Sequence, residues 1–263
     1  MAPGTLSRQC RPVHGVLKFL CIGCALLFAV IIPSAAFSAE VDCLQCHKKL
    51  VQEKNVHPAV PMGCPTCHTG IDASKAPHKK TNTIARGLSV DQPDLCYGCH
   101  DKALFTKKNV HAAVAMGCTG CHNPHSSKNA RLLVSAPPAL CFTCHDKAGF
   151  SRKNVHAPVA AGMCPDCHNP HSTDFMDLLV KEPVELCLGC HPAVEKSPHA
   201  IVGFSSAGHP IGKKGKKEIK DTKRPGKPFY CGSCHNPHSS DSVRLFRYDA
   251  KSTMGLCVHC HNI

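Results

Sequence analysis

Eighteen cysteines and nine histidines of this chain fall into nine Cys-x-x-Cys-His blocks. They are Cys43, Cys46 and His47; Cys64, Cys67 and His68; Cys96, Cys99 and His100; Cys118, Cys121 and His122; Cys141, Cys144 and His145; Cys164, Cys167 and His168; Cys187, Cys190 and His191; Cys231, Cys234 and His235; and Cys257, Cys260 and His261. Two thiols three residues apart can add across the two vinyl groups of one porphyrin, and the histidine that follows then lies under the iron. Each block therefore reads as a covalent attachment site for haem c, with its histidine as proximal ligand. Zinc held by four Cys or His ligands is the competing chemistry, but it requires no histidine directly after every second cysteine. The other three of the 21 cysteines, Cys10, Cys21 and Cys24, lie in the first 38 residues, so nothing remains for a disulfide framework.

Axial ligation decides whether such a group carries electrons or performs chemistry. Of 20 histidines, His14 lies near the N-terminus, nine are proximal, and His259 sits inside the last attachment block, badly placed to reach the far face of an iron. Nine remain as distal candidates: His57, His78, His111, His125, His156, His171, His199, His209 and His238. They recur as Asn-Val-His and Pro-His at fixed offsets from the attachment sites. His125, His171 and His238 follow a proximal histidine by only three positions and cannot wrap round a porphyrin edge, so each must ligate a different haem. His209 is the expected ligand of the haem at Cys257, which has no doublet partner. Methionine is the alternative axial ligand; Met62, Met116 and Met163 lie too close to a haem cysteine to reach round it and read as packing residues. Bis-histidine ligation leaves no open coordination position, which argues for an electron carrier rather than an enzyme, and for low potentials.

The elements that position these groups must be short. The stretch from Leu95 to Ser127 aligns almost residue for residue with that from Leu140 to Thr173, a repeat signal. Doublet units start near residues 43, 96, 141 and 187, and a single site occupies 257–261. The first unit reaches Pro-His only at His78, and the fourth carries an insertion. Arg8, Arg11 and Lys18 precede an apolar run from Phe19 to Ile32 and a small-residue stretch ending at Ser38, the layout of a secretory signal peptide. Fourteen apolar residues are short of the roughly 20 that span a bilayer, so residues 1–38 are expected to be removed, leaving a mature chain without a transmembrane span. Export to the periplasm, or beyond it to the outer membrane or the cell exterior, is expected.

Residues 39–263 then give 25 residues per haem. Trp is absent, aromatics are 5% and Gly and Pro number 19 and 21. Protein side chains alone would build a poor interior, and the chain without haem is expected to be unfolded. The expected fold is mostly irregular, with short α-helices and little or no β-sheet, organised around nine closely packed haems.

The paired motif with Gly-Cys-x-x-Cys-His-Asn-Pro-His-Ser-Ser resembles the doubled Cys-x-x-Cys-His multihaem cytochromes c, within the class III, cytochrome c3-like superfamily of metal-respiring and sulfate-reducing bacteria. The resemblance covers residues 42–262. It implies closely spaced, low-spin bis-histidine haems. The roles it implies are a periplasmic shuttle, a porin-cytochrome conduit component, a haem subunit of a membrane quinol oxidoreductase, or an extracellular filament subunit.

The first 38 residues hold three of the 31 Lys and Arg and none of the 18 acids, so the mature polypeptide carries +10. Nine haems with ionised propionates bring this to about +1 when ferric and about −8 when ferrous by formal counting. The basicity is compensation for propionates, and nucleic-acid binding is not implied. The run Lys213 to Lys227 is a local exception, expected as a solvated loop that could dock an acidic partner or a membrane surface. The expected partners are redox proteins: an inner-membrane quinol oxidoreductase on one side and outer-membrane or periplasmic cytochromes on the other. Self-assembly into a conductive filament is the alternative.

Overall fold

The computed structural model describes residues 41–196 and 220–263. The N-terminal apolar run and the distal candidates His199 and His209 lie outside the described residues. So do residues 213–219 of the lysine-rich run.

All nine attachment blocks adopt the same single turn. In each, the backbone N–H of the histidine donates to the carbonyl of the first cysteine, at 2.9–3.0 Å. This i to i+4 bond places both thiols and the imidazole around one turn. Asn-Pro after His122, His168 and His235 and Pro192 after His191 stop those turns from continuing as helices; the longest helix among the described residues is Pro183–Leu188, six residues, capped by the Glu182 carboxylate accepting from Val184 and Glu185. No described helix is long and apolar enough to cross a membrane. As the composition predicts, short helices and irregular segments dominate.

What sheet exists is minimal and repeats. The strands are β1 (Asn55–Val56), β2 (Ile71–Asp72), β3 (Lys79–Lys80), β4 (Asn109–Val110), β5 (Ser126–Ser127), β6 (Asn154–Val155), β7 (Ser172–Thr173) and β8 (Ser239–Ser240). They form antiparallel two-residue ladders, β1 with β5, β4 with β7 and β6 with β8, while β2 and β3 make a local hairpin. In the three long-range ladders the Asn-Val of one repeat pairs with the Ser-Ser or Ser-Thr of the next. The ladders thus tie each repeat to its successor.

The buried side chains at these ladders are polar. Ser126, Ser172, Ser239 and Ser240 are the largest side chains that are almost wholly buried among the described residues, whereas the buried apolar set is limited to Leu88, Val184, Tyr230, Phe246 and Ala250. Such a chain has almost no apolar core of its own. Met62, Met116 and Met163 are exposed on the polypeptide, so packing against protein, expected from their positions, is not what holds them.

The serine directly after His125, His171 and His238 satisfies two backbone groups of the preceding repeat. Ser126 Oγ donates to Leu50 O (2.7 Å) and accepts from Glu53 N; Ser172 Oγ donates to Leu104 O (2.9 Å) and accepts from Lys107 N; Ser239 Oγ donates to Gly149 O (2.9 Å) and accepts from Arg152 N. The residue after it turns the other way and bonds within its own repeat: Ser127 to Leu133 O, Thr173 to Leu179 O and Ser240 to Phe246 O. The Asn of Asn-Val-His completes the ladder, Asn55, Asn109 and Asn154 donating through Nδ2 to the carbonyls of Ser127, Thr173 and Ser240.

The described part of the lysine-rich run departs from the expected solvated loop. Asp221 is buried and accepts from Lys223 N, Arg224 N and Arg224 Nε. The Arg224 guanidinium lies 4.9 Å from the Tyr230 ring centroid and donates to Ser233 Oγ, and Lys227 pairs with Asp177. The acid and arginine that looked like incidental members of a charge run form a half-buried turn instead.

Candidate haem-binding site

Three of the attachment-block histidines, His68, His122 and His168, are aimed by strained turns. Arg86 and Gly87, Arg131 and Leu132, and Asp177 and Leu178 are consecutive residues at φ between 53° and 62°, the left-handed pair of a type I′ turn. Non-glycine residues there cost about 1–2 kcal/mol each. The return is a carbonyl turned toward an imidazole: Nδ1–H of His68 donates to Arg86 O (3.1 Å), that of His122 to Arg131 O (2.8 Å) and that of His168 to Asp177 O (2.8 Å). His235 donates likewise to Arg244 O (2.7 Å). A carbonyl can only accept, so the proton sits on Nδ1 and the Nε2 lone pair is left for a metal.

Distal candidates are set by the ladders. The turn Asn-Pro-His is closed by the Asn side chain, whose Oδ1 accepts from the backbone N–H of His125, His171 and His238 at 2.9–3.1 Å. Across each ladder, His57 N–H donates to His125 O, His111 to His171 O and His156 to His238 O, at 2.8–2.9 Å. One ladder therefore carries two distal candidates side by side.

Seven of the distal candidates face a proximal histidine. The centroid separations are 5.9 Å for His47 and His78, 6.2 Å for His57 and His100, 6.1 Å for His68 and His125, 6.0 Å for His111 and His145, 5.9 Å for His122 and His171, 6.1 Å for His156 and His191, and 5.9 Å for His168 and His238. With a metal to imidazole nitrogen bond of about 2 Å and a ring radius of about 1.2 Å, two imidazoles on opposite sides of one metal have centroids about 6.4 Å apart. The observed separations match that arrangement and are too wide for direct ring stacking. Among the described residues no group of three or more His, Cys, Asp or Glu converges as a metal site. The residues thus bracket a flat group between two nitrogens, which fits haem and does not fit tetrahedral zinc.

The pairing follows a rule the sequence does not show. Asn-Val-His points forward, to the first attachment block of the next repeat, and Pro-His points back, to the second block of the previous one. His125 faces His68 rather than His122, three residues away. His78 is different: the β2–β3 hairpin, inserted where the other repeats have a tight turn, brings it to His47 in its own repeat. His259 stacks on Tyr248, with centroids 4.9 Å apart. Phe105 packs on His171 and Phe150 on His238; neither phenylalanine nor the serines and asparagines above were identifiable as site residues from spacing, although Ser-Ser or Ser-Thr follows each Asn-Pro-His.

Consecutive attachment blocks are also neighbours. The thiols of Cys43 and Cys64, Cys96 and Cys118, Cys141 and Cys164, and Cys187 and Cys231 interact directly. Cys67 lies near Cys96, Cys121 near Cys141, Cys167 near Cys187 and Cys234 near Cys260 and Cys257. Burial pushes the imidazoles of His57, His125 and His171 below the usual histidine range, and the facing His100, His68 and His122 push in the same direction. His238, the most enclosed, is lowered to about 4 by burial and then by His168. All four are held neutral, which is the ligating form.

The doubled CXXCH motif profile matches residues 57–104, 111–150, 156–196 and 225–262, the greater part of the chain. The chain belongs to the doubled CXXCH motif family. A relative is the multihaem cytochrome MtrA of Shewanella baltica (strain OS185), 28% identical over 129 residues that make up 45% of this chain and 36% of that protein. The chain thus matches little more than a third of the relative's length. Members of the doubled CXXCH family are multihaem cytochromes c, and the chain binds haem c covalently. Each matched segment of the doubled CXXCH profile spans two attachment blocks, the second of one repeat and the first of the next, and the first three open on His57, His111 and His156.

Proposed function

We propose that the chain is a nine-haem c-type cytochrome that conducts electrons at low potential along a row of bis-histidine haems arranged in sequence order. The facing imidazole pairs carry this reading, because His47, His68, His100, His122, His145, His168 and His191 each have a second imidazole opposite. His199 and His209 are the remaining distal candidates for His235 and His261.

Bound haem supplies one-electron exchange between ferric and ferrous iron. The residues do the rest. The cysteines would fix the group, the carbonyls of Arg86, Arg131, Asp177 and Arg244 hold the proton on Nδ1 of His68, His122, His168 and His235, and the ladders hold His57, His111, His125, His156, His171 and His238 in place, so little reorganisation accompanies a transfer there. Because each block adjoins the next, the array has two ends, near Cys43 and near Cys257.

We place the protein in the periplasm, between an inner-membrane quinol-oxidising system and outer-membrane or soluble acceptors. The similarity to an MtrA cytochrome and the signal-peptide layout support this. A filament subunit that borrows a histidine from a second copy is less favoured, since His78 serves the first site from its own chain. Haem-stained fractionation tests the reading. Signal in the soluble periplasm supports the carrier; recovery in washed membranes or in sheared extracellular material would refute it. A haem to protein ratio of nine and a low-spin spectrum are expected of the purified protein.

A further inference from the structure

We propose that His78 is an exchangeable ligand, and that the first attachment site binds a small neutral diatomic molecule, carbon monoxide or nitric oxide, in its place. The inference rests on the axial reading given above. It comes from how differently His78 is held.

His125, His171 and His238 are each fixed by an Asn Oδ1 on the backbone N–H and by a ladder bond on the carbonyl. The next residue is a buried serine bonded to the neighbouring repeat. Releasing any of them opens the junction between two repeats. His78 ends the 73–78 loop of the β2–β3 hairpin, directly before Lys79, and the hairpin has only the pairs Ile71 with Lys80 and Asp72 with Lys79. The hydrogen bonds of the tip are local: Asp72 with Ser74, His78 Nδ1 with Lys75 O, and Lys80 with Ile84 O. Residues 74–81 are exposed. The firm contacts are at the hairpin base, where Gly70 N–H donates to Gly87 O, Thr81 N–H to Gly70 O and Asn82 Nδ2 to Leu88 O. The base can therefore stay in place while the tip lifts, and local opening of so few exposed bonds lies at the low end of the stability range of a folded chain.

The exchange is a ligand substitution. With haem held at Cys43 and Cys46, His78 would give up its place on the metal as a neutral imidazole that keeps its Nε2 lone pair, and the lone pair of the incoming molecule would take that place. No electron changes hands. His78 lies three residues from Lys75, whose carbonyl it keeps as partner, so the ring leaves as part of the tip.

The test is a carbon monoxide titration of the dithionite-reduced holoprotein, followed by absorption. We expect one equivalent bound per chain, at a rate that saturates with gas concentration because His78 release limits it. In His78→Ala the stoichiometry should stay at one while binding becomes at least about tenfold faster and linear in gas. His78→Met, which retains a ligand, should also bind one equivalent. Absence of binding by the wild-type protein would overturn the proposal, as would a rise to two equivalents in His78→Ala, which would place the wild-type site elsewhere. Failure of the axial reading would be visible before gas is added, as a high-spin spectrum in the untreated protein.

Discussion

Replacing Ser172 by alanine should loosen one junction between repeats without touching a haem ligand. Ser172 is fully buried; its Oγ donates to Leu104 O at 2.9 Å and accepts from Lys107 N at 3.2 Å. Alanine fits the space but leaves a carbonyl and an N–H unpaired where water does not reach. Each orphaned buried group costs about 1–3 kcal/mol, and since the longer N–H bond is the weaker of the two, the sum is about 2–4 kcal/mol. With a guanidinium m value of about 2–6 kcal/mol/M, the denaturation midpoint of the holoprotein should fall by about 0.3–2 M, followed through the low-spin haem bands. The adjacent His171 should become the first ligand to be lost, so partly denatured Ser172→Ala should show one high-spin haem. Lys128→Ala, an exposed position two residues past the equivalent clamp Ser126, should stay within about 0.5 kcal/mol of wild type. Equal midpoints for Ser172→Ala and Lys128→Ala would refute the idea that the serines couple the repeats.

Further outcomes follow from the same geometry. His238→Ala should convert one haem, that at His168, to high spin while the rest stay low spin; electron paramagnetic resonance of the ferric protein reads this, and an unchanged spectrum would rule out the backward pairing. In the chain without haem, burial and then His168 lower the His238 imidazole to about 4, below the ordinary value of about 6.5, and a metal on Nε2 opposes protonation in the same direction, so its contribution to stability is complete above about pH 6.5 and is lost as acid protonates the released ring. Denaturation midpoints at pH 7 and 4.5 should therefore fall with acid, and a rise would contradict the burial argument. Asp177→Asn removes the negative partner of Lys227 beside His168; for a part-exposed charge worth about 0.5–1 kcal/mol, one component of the redox titration should move up by about 20–40 mV for a one-electron couple. Reduction of several neighbouring haems accumulates negative charge, so potentials should fall as pH rises; identical titrations at two pH values would oppose this.

The haem chemistry was legible in the residues because covalent attachment demands one fixed spacing, and the nine equivalent turns follow from it. The scarcity of regular structure was also legible, in the 40 Gly and Pro residues and the missing Trp. The pairing of His57 with His100 and of His125 with His68 was not. It depends on ladders of two residues, Asn55 with Ser127 and Val56 with Ser126, joined across some 70 positions; strands that short carry no alternation to read. Ser126 and Ser172 look like loop serines for the same reason, since burial of a small hydroxyl leaves no hydrophobic signature. Arg131 and Leu132 give no hint of a left-handed turn, where glycine or asparagine would have advertised one. Asp221 and Arg224 were masked by the lysines around them, and only their burial separates a structural ion pair from a charge run.

The forward and backward reach of each repeat has a consequence for how such chains can change in length. A duplicated whole repeat brings an Asn-Val-His for the block ahead, a Pro-His for the block behind and a serine for the junction it creates, so every new histidine and every new carbonyl finds a counterpart at once. A half repeat would leave an imidazole without an opposite number and a carbonyl dry and unpaired. Growth in whole modules is therefore the path of least cost, and the span over which electrons travel becomes a quantity that gene duplication can set in steps.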